Sequence, residues 1–285
     1  MGAPVRLGQG TNQSHRRLRQ LVSRTSTRGD DAHVAKVSAL FESVAADYDQ
    51  HVPFFTAYAQ ELVGWAAIGG GERLLDIGTG RGAVAEAARA AGASVVGVDI
   101  AEAMLRMATG RRVRADARML PVRPGSFDVA VGAFSIHLLP DPVAGLREAA
   151  RAVHTGGRMV LAYGAGFASS DWDFWFEVLE RHADRGTRPP TLPAPTPIPD
   201  PTAAFHDAGL TDVRKEEVKV AVPVADPRDF LLGEHAHGAR SLFDRFEPDV
   251  RAEVEAELLA HLETMHRNGG IVLHRASWFV EGRTS

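Results

Sequence analysis

Leu74-Leu75-Asp76-Ile77-Gly78-Thr79-Gly80-Arg81-Gly82 is the stretch from which the architecture can be read. A short apolar run (Leu74–Ile77) suits a buried strand. It feeds glycines at alternate positions, and then an alanine-rich segment, Ala83–Ala91, that suits a helix. Glycine lets the chain bend sharply and approach a ligand that side chains would exclude. Outward from this turn the strand–helix alternation repeats. Ser94–Val98 reads as a strand, Ala101–Ala108 as a helix, Val113–Ala115 as a brief strand and Phe127–Gly132 as a longer one. Helix Pro142–Val153 carries Val143, Leu146, Ala149 and Val153 on one face, and Gly156-Gly157 turns into strand Arg158–Tyr163. Such alternation predicts an α/β fold in which a doubly wound parallel sheet has helices on both faces.

The flanks differ from this core. Residues 1–29 hold six arginines (Arg6, Arg16, Arg17, Arg19, Arg24, Arg28) and no acid, which predicts a flexible basic tail. Asp30-Asp31 can cap a lead-in helix with Val34, Val37, Phe41 and Val44 at helical spacing. A second helix is expected from Pro53 to Ile68, ended by Gly69-Gly70-Gly71. Beyond Tyr163 the alternation breaks. Phe167, Trp172, Phe174, Trp175 and Phe176 cluster, and prolines crowd Pro189–Pro201. An insertion of that length suggests a lid. Strand Val213–Val222, helix Asp249–Arg267 and a last strand Ile271–Val280 close the chain. The expected organisation is a tail (1–29) and one domain (30–285), with its core at 70–164, the lid at 165–200 and C-terminal strands and helices from 201.

Composition narrows the function classes. The 285 residues are 45% hydrophobic and 24% charged, as in an ordinary globular chain. A net charge of −4 gives no overall electrostatic footprint for nucleic acid. There is no cysteine, which excludes disulfides, thiolate metal sites and cysteine nucleophiles. No apolar run reaches the roughly 18 residues of a membrane span, and the N-terminus lacks a secretory apolar core, so a cytoplasmic protein with no membrane partner is expected.

Four features carry chemistry. Asp76 stands just ahead of the glycine turn, where a carboxylate repels a pyrophosphate but welcomes a cationic amino-acid ligand. That favours S-adenosylmethionine (SAM), with its ammonium and sulfonium, over a dinucleotide. Asp99, about 20 residues past the glycines at the end of the second strand, suits hydrogen bonds from ribose hydroxyls. Asp116-Ala117 follows the third strand, where an acid can reach an adenine amino group. The fourth is the loop Gly132-Ala133-Phe134-Ser135-Ile136-His137 at the end of the fourth strand. The turn reads GxGxG rather than the GxGxxG of nicotinamide-dependent oxidoreductases, which weakens that alternative. A SAM-binding scaffold that promotes a rearrangement without methyl transfer stays open.

The runs "LLDIGTGRG", "VVGVDIAEAML", "ADARMLPVRPGSFDVAV" and "HTGGRMVL" resemble, in order and spacing, the class I SAM-dependent methyltransferases. The similarity is greatest to the small-molecule branch that includes the ubiquinone and menaquinone biosynthesis enzymes. "FESVAADYDQHVPFF" resembles the lead-in helix of that branch. The resemblance covers roughly residues 38–164 and implies a seven-stranded Rossmann-like sheet. It also implies methyl transfer from SAM to an O, N or C atom of a small, largely apolar metabolite, a natural-product intermediate by the branch, with S-adenosylhomocysteine as product. Carried onto this chain, Asp76, Gly78, Thr79 and Gly80 surround the methionine part, Thr79 standing where many members have cysteine. Asp99 holds the ribose, Ile100 and Met104 flank the adenine, and Asp116 and Ala117 meet its edge. Phe134 lies beside the sulfonium, and Tyr48 closes over the methionine carboxylate.

A methyl on a sulfonium is already activated, so aligning the acceptor can supply ~7–11 kcal/mol of the barrier. His137 is the candidate general base, because histidine titrates near neutrality and this one follows the crevice loop. Phe167, Trp172 and Trp175 are candidate walls of an acceptor pocket, joined by His235 and His237. The spacing of these two histidines suits a metal poorly on a helix, and no metal site is expected. A small-molecule substrate and a possible homo-oligomer complete the expectations; the Gly132-Ala133-Phe134-Ser135 loop and the net acidity argue against a nucleic-acid substrate.

Overall fold

The computed structural model describes residues 29–167, 170–185, 198, 200–236 and 240–285, with the backbone alone at 165–167, 170 and 241. The basic tail before residue 29, most of the proline-rich stretch and His237 lie outside the described residues. Helix α1 spans 29–44, α2 Phe54–Trp65. Then β1 (Arg73–Ile77), α3 (Ala83–Ala90), β2 (Ser94–Asp99), α4 (Glu102–Met107), β3 (Arg111–Arg114), β4 (Phe127–Ala133), α5 (Pro142–Ala152) and β5 (Val153–Phe167) follow. After them come α6 (Asp173–Arg181), α7 (Pro201–Asp207), β6 (Leu210–Val224), α8 (Pro227–His235), α9 (Arg240–Phe243), α10 (Pro248–Gly269) and β7 (Ile271–Thr284). Three helices open on the same device. Asp141, Asp200 and Asp226 each accept from backbone amides of the first turn, and a proline occupies the first helical position, where its missing N–H is not needed.

The seven strands lie in the order β3-β2-β1-β4-β5-β7-β6. The first five are parallel, as the alternation predicts. The far edge, beyond the alternation, departs from this pattern. There β7 runs antiparallel to both β5 and β6 and slots between them. Its inward residues recur every second position in either chain direction, so periodicity carried no information on its sense.

Two apolar layers clamp the sheet. One joins Leu75, Ile77, Val129's neighbour Ala130, Leu146, Ala149 and Phe205 under α5 and α7. The other joins Leu74, Val131, Tyr58 and Leu62 under α2 and α3, and continues without a break into the far edge. There β6 and β7 run on past the core, pairing as far as Val224 with Ile271. Val220, Val222, Val224 and Leu273 pack against α6, α8 and α10 in this upper extension. A third, small cluster docks α1 on α4 through Leu40, Val44, Ala45, Ala101 and Met104.

Candidate functional site

The parallel strands deliver the acids and the glycine turn to one end of the sheet. Gly78 has φ of +70°, and a Cβ there would collide with the Ser135 side chain. Ser135 itself donates to the Ile77 carbonyl at 2.6 Å. Only glycine lets these two strand ends close up. Asp99 accepts from the Gly80 amide at 2.8 Å and from the Ala101 amide at 2.9 Å, so β2 holds the turn in shape. Asp76 is 1% exposed and accepts from Thr79 Oγ1 at 2.6 Å. Burial pushes its pKa up to about 6, partly offset by the Thr79 hydroxyl and the Ala85 amide, and Asp99 nearby adds to the rise. A buried carboxylate in that condition is stabilised by an arriving cation.

Two cavities open above this turn and share Tyr48, Gly78, Gly80, Ala133 and Phe134 in their walls. The first is lined by Asp99, Ile100, Met104, Asp116 and Ala117. The second holds Asp76, Thr79, Arg81, Phe55 and Tyr58. The structure thus brings together all eleven residues expected around a cofactor. Phe134 stands at the junction in a left-handed conformation (φ +54°), its amide on the Ala162 carbonyl at 2.7 Å. Such a backbone is strained for a bulky residue and is held there by its surroundings. Asp116 shares both carboxylate oxygens with Arg118, at 2.7–3.2 Å, and is held below the ordinary carboxylate range against the effect of burial.

Sequence reading missed the roof. Val34, Val37 and Phe41, one stripe of α1, line the first cavity; the stripe was legible, its destination was not. Polar latches hold α1 down. Glu42 accepts from the Glu102 and Ala103 amides at 2.6 and 2.9 Å, His33 meets the Leu138 carbonyl at 2.8 Å, and Arg118 reaches Asp31 at 2.9 Å. Arg81 donates to the carbonyls of Ala46 and Tyr48, both at 2.9 Å, tying the glycine turn to the loop that presents Tyr48. Burial, with Asp49 and Asp99 nearby, raises the Tyr48 phenol well above its usual pKa. Its ring stacks on Phe55 with centroids 5.0 Å apart.

Other expected residues are placed elsewhere. His137 occupies the 3-10 turn Ile136–Leu138, whose geometry aligns residues three apart. Ser135 and Leu138 therefore line the first cavity, while His137 lines neither. Its Nδ1 is buried with no hydrogen-bond partner among the described residues, and burial pushes its pKa down to about 4. Trp172 and Trp175, each 1% exposed, line neither cavity. They belong to the upper extension, with Trp172 against Phe230 and Trp175 edge-on to Phe230 and Phe243. His235 packs on Phe243 and contacts Arg251 and Glu255 at 3.2 and 3.1 Å; burial and the Arg251 charge lower its pKa. The reason is area: the projecting halves of β6 and β7 need covering, and these rings cover them. The Phe167 side chain lies outside the described atoms. Among the described residues no group of His, Asp and Glu is placed to hold a metal, and no helix is long and apolar enough to cross a membrane.

A family model described as a methyltransferase domain matches residues 75–161. Over 261 residues the chain is 31% identical to nocamycin O-methyltransferase of Saccharothrix syringae, spanning 81% of this chain and 92% of that protein. The chain belongs to the class I SAM-dependent methyltransferases. The methyltransferase is also 36% identical over 146 residues to aklanonic acid methyltransferase of Streptomyces sp. strain C5, covering 46% of this chain and 66% of that one. The structure of the YcgJ protein of Bacillus subtilis shares its fold, with a TM-score of 0.51 and 18% identity over 80% of this chain and 98% of that one. Like its family, the methyltransferase transfers a methyl group from SAM to a small metabolite. Its crevice fits that cofactor: a cradle at Gly78 that a Cβ would fill, and a buried acid at Asp76 whose pKa a cation would lower.

Proposed function

We propose that this methyltransferase acts on an oxygen of a small, largely apolar natural-product intermediate and works by positioning, with no base supplied by the protein. One observation carries the reading: among the described residues neither cavity wall contains a histidine or lysine, and His137, the residue expected to serve, lines neither cavity and has its pKa pushed down to about 4 by burial. The similarity to an O-methyltransferase over 92% of that relative's length supports oxygen as the acceptor atom.

The roles of the walls follow from their chemistry. Asp76 holds the ammonium, with Gly78, Thr79 and Gly80 around the methionine part. Asp99, its oxygens already steered by two amides, keeps lone pairs for the ribose hydroxyls. Ile100 and Met104 sandwich the adenine, Asp116 and Ala117 meet its edge, and Phe134 and Tyr48 enclose the sulfonium end, where ring faces favour a cation. When bound, the cofactor supplies an activated methyl group; the chain's residues hold it, exclude water and align the acceptor.

Calorimetry with S-adenosylhomocysteine, followed by incubation with SAM and candidate metabolites under mass spectrometry, tests this. Binding and a singly methylated oxygen are expected. Tight NAD(H) binding with no SAM binding would overturn the cofactor assignment. SAM binding with conversion but no methyl gain would instead favour a rearrangement catalyst.

A further inference from the structure

The walls of the two cavities carry an excess of negative charge. Asp99 and Asp116 line the first, and Asp49, Asp76 and Glu86 line the second. Against these, Arg81 is the one cationic side chain among the described residues of either wall. The methionine end of SAM is an amino acid, with an ammonium and a carboxylate on the same carbon. Asp76 suits the ammonium. It repels the carboxylate, and the other acids do the same. A carboxylate that enters this crevice needs a cation to offset them.

Arg81 stands in the glycine turn itself, between Gly80 and Gly82, and is half-buried. Its Nη1 donates to the carbonyls of Ala46 and Tyr48, both at 2.9 Å, with that of Ala45 at 3.4 Å. The Gln50 amide, its oxygen turned toward the guanidinium, accepts from Nη1 at 3.2 Å and from Nη2 at 3.0 Å. All of these partners are neutral, and no acid pairs with Arg81 among the described residues. The contacts use Nη1 and the end of the fork between Nη1 and Nη2. The other edge, Nε with Nη2, has no acceptor among the described residues, and an arginine edge of this kind takes a carboxylate through two parallel hydrogen bonds. Closing the end of α1 accounts for Nη1, since a basic side chain often bonds the last carbonyls of a helix. It does not account for an unpaired guanidinium in the wall that also holds Asp76.

We propose that Arg81 receives the α-carboxylate of the cofactor on its Nε–Nη2 edge and so selects ligands that carry one. Asp76 and Arg81, on either side of Gly78 and Gly80, then read the two charges of the amino-acid end separately. Nη1 keeps the Ala46 and Tyr48 carbonyls, so one guanidinium joins the bound carboxylate to the loop after α1. An occupied crevice and a closed roof are thereby favoured together.

The assignment rests on the methyltransferase reading, and calorimetry with two ligands separates them. One ligand is S-adenosylhomocysteine. The other is S-adenosyl-3-thiopropylamine, the same molecule with its ammonium but without its carboxylate. The parent protein is expected to bind the first about 10-fold or more tightly, the scale of hydrogen bonds to a charged group. In Arg81→Met that ratio should fall to within about two-fold, with the affinity for the thiopropylamine nearly unchanged. Arg81→Gln keeps an amide donor for the α1 carbonyls, guards against loss of the fold and should lose the ratio as well, whereas Arg81→Lys should recover part of it. Failure of both ligands to bind the parent protein sinks the cofactor reading itself. A parent that binds both alike, or Arg81 variants that weaken both ligands equally and keep the ratio, overturns the assignment and leaves Arg81 as a helix cap.

Discussion

The cofactor crevice and the upper extension are built from different materials. The crevice is made of backbone amides, carboxylates and glycines set at strand ends, with a thin apolar roof from α1. The extension is made of large rings and aliphatic side chains: Trp172, Trp175, Phe230 and Phe243 against Val220, Val222 and Leu273. One region is shaped to leave a cavity, the other to fill one. Aromatic density beside a crevice therefore has two readings, pocket wall and core cover. A sheet edge that outgrows its core has to be covered, and the same residue types do that work.

This contrast can be broken most decisively at Trp175. If it is core, Trp175→Ala should destabilise the fold by about 3–5 kcal/mol, as for large-to-small changes in packed interiors, while S-adenosylhomocysteine affinity per folded molecule is unchanged. Denaturant melts paired with calorimetry decide it; a stable variant with altered acceptor binding would return Trp175 to the pocket. Asp99→Ala should do the opposite. Cofactor affinity should fall by about 1.5–3 kcal/mol, the range for hydrogen bonds to a charged group, with a smaller change in melting. Parent-like affinity would show that the ribose is held elsewhere.

A finer test uses pH. Asp76 has its pKa raised to about 6 by burial, against the Thr79 hydroxyl, the Ala85 amide and the Arg89 charge, with Asp99 pushing the same way. The folded value lies above the unfolded one, so in the ligand-free protein this group's stabilisation is full below the unfolded pKa and is lost as pH rises through about 6. An ammonium-bearing ligand has the reverse preference, since it needs the carboxylate. S-adenosylhomocysteine affinity should be flat above about pH 7 and fall toward tenfold per unit below 6, by linkage. Asp76→Asn should bind weakly and lose that slope; a slope that persists assigns it to another group. The smallest effect is expected at His137. His137→Ala should leave turnover within a few-fold and cofactor affinity unchanged, whereas a base would cost about 10²-fold or more. A loss of that size would restore its catalytic role.

Much of the crevice was legible because its determinants are local. A glycine that must adopt positive φ, an acid one residue before the turn and another at the next strand end are fixed by spacing along the chain, and parallel strands then align their ends. Gly78, Asp76 and Asp99 needed no knowledge of distant contacts. What surrounds them did. Glu42 caps a helix sixty residues on, His33 reaches the Leu138 carbonyl, and the apolar stripe of α1 would have suited any core it happened to meet. His137 follows the fourth strand as the sequence places it, yet in the 3-10 turn Ile136–Leu138 it lines neither cavity while Ser135 and Leu138 line the first. The direction of β7 was invisible because a two-residue period reads the same both ways. The pairing of Arg275 with Glu234, 41 residues apart, exists only because that strand turns back beside β5. Sequence alone determined where the chain must bend and which acids stand at the bends. Tertiary structure decided which side chains face a void and which face one another, because burial rewards any apolar contact equally and only the assembled sheet and helices leave some of that surface uncovered.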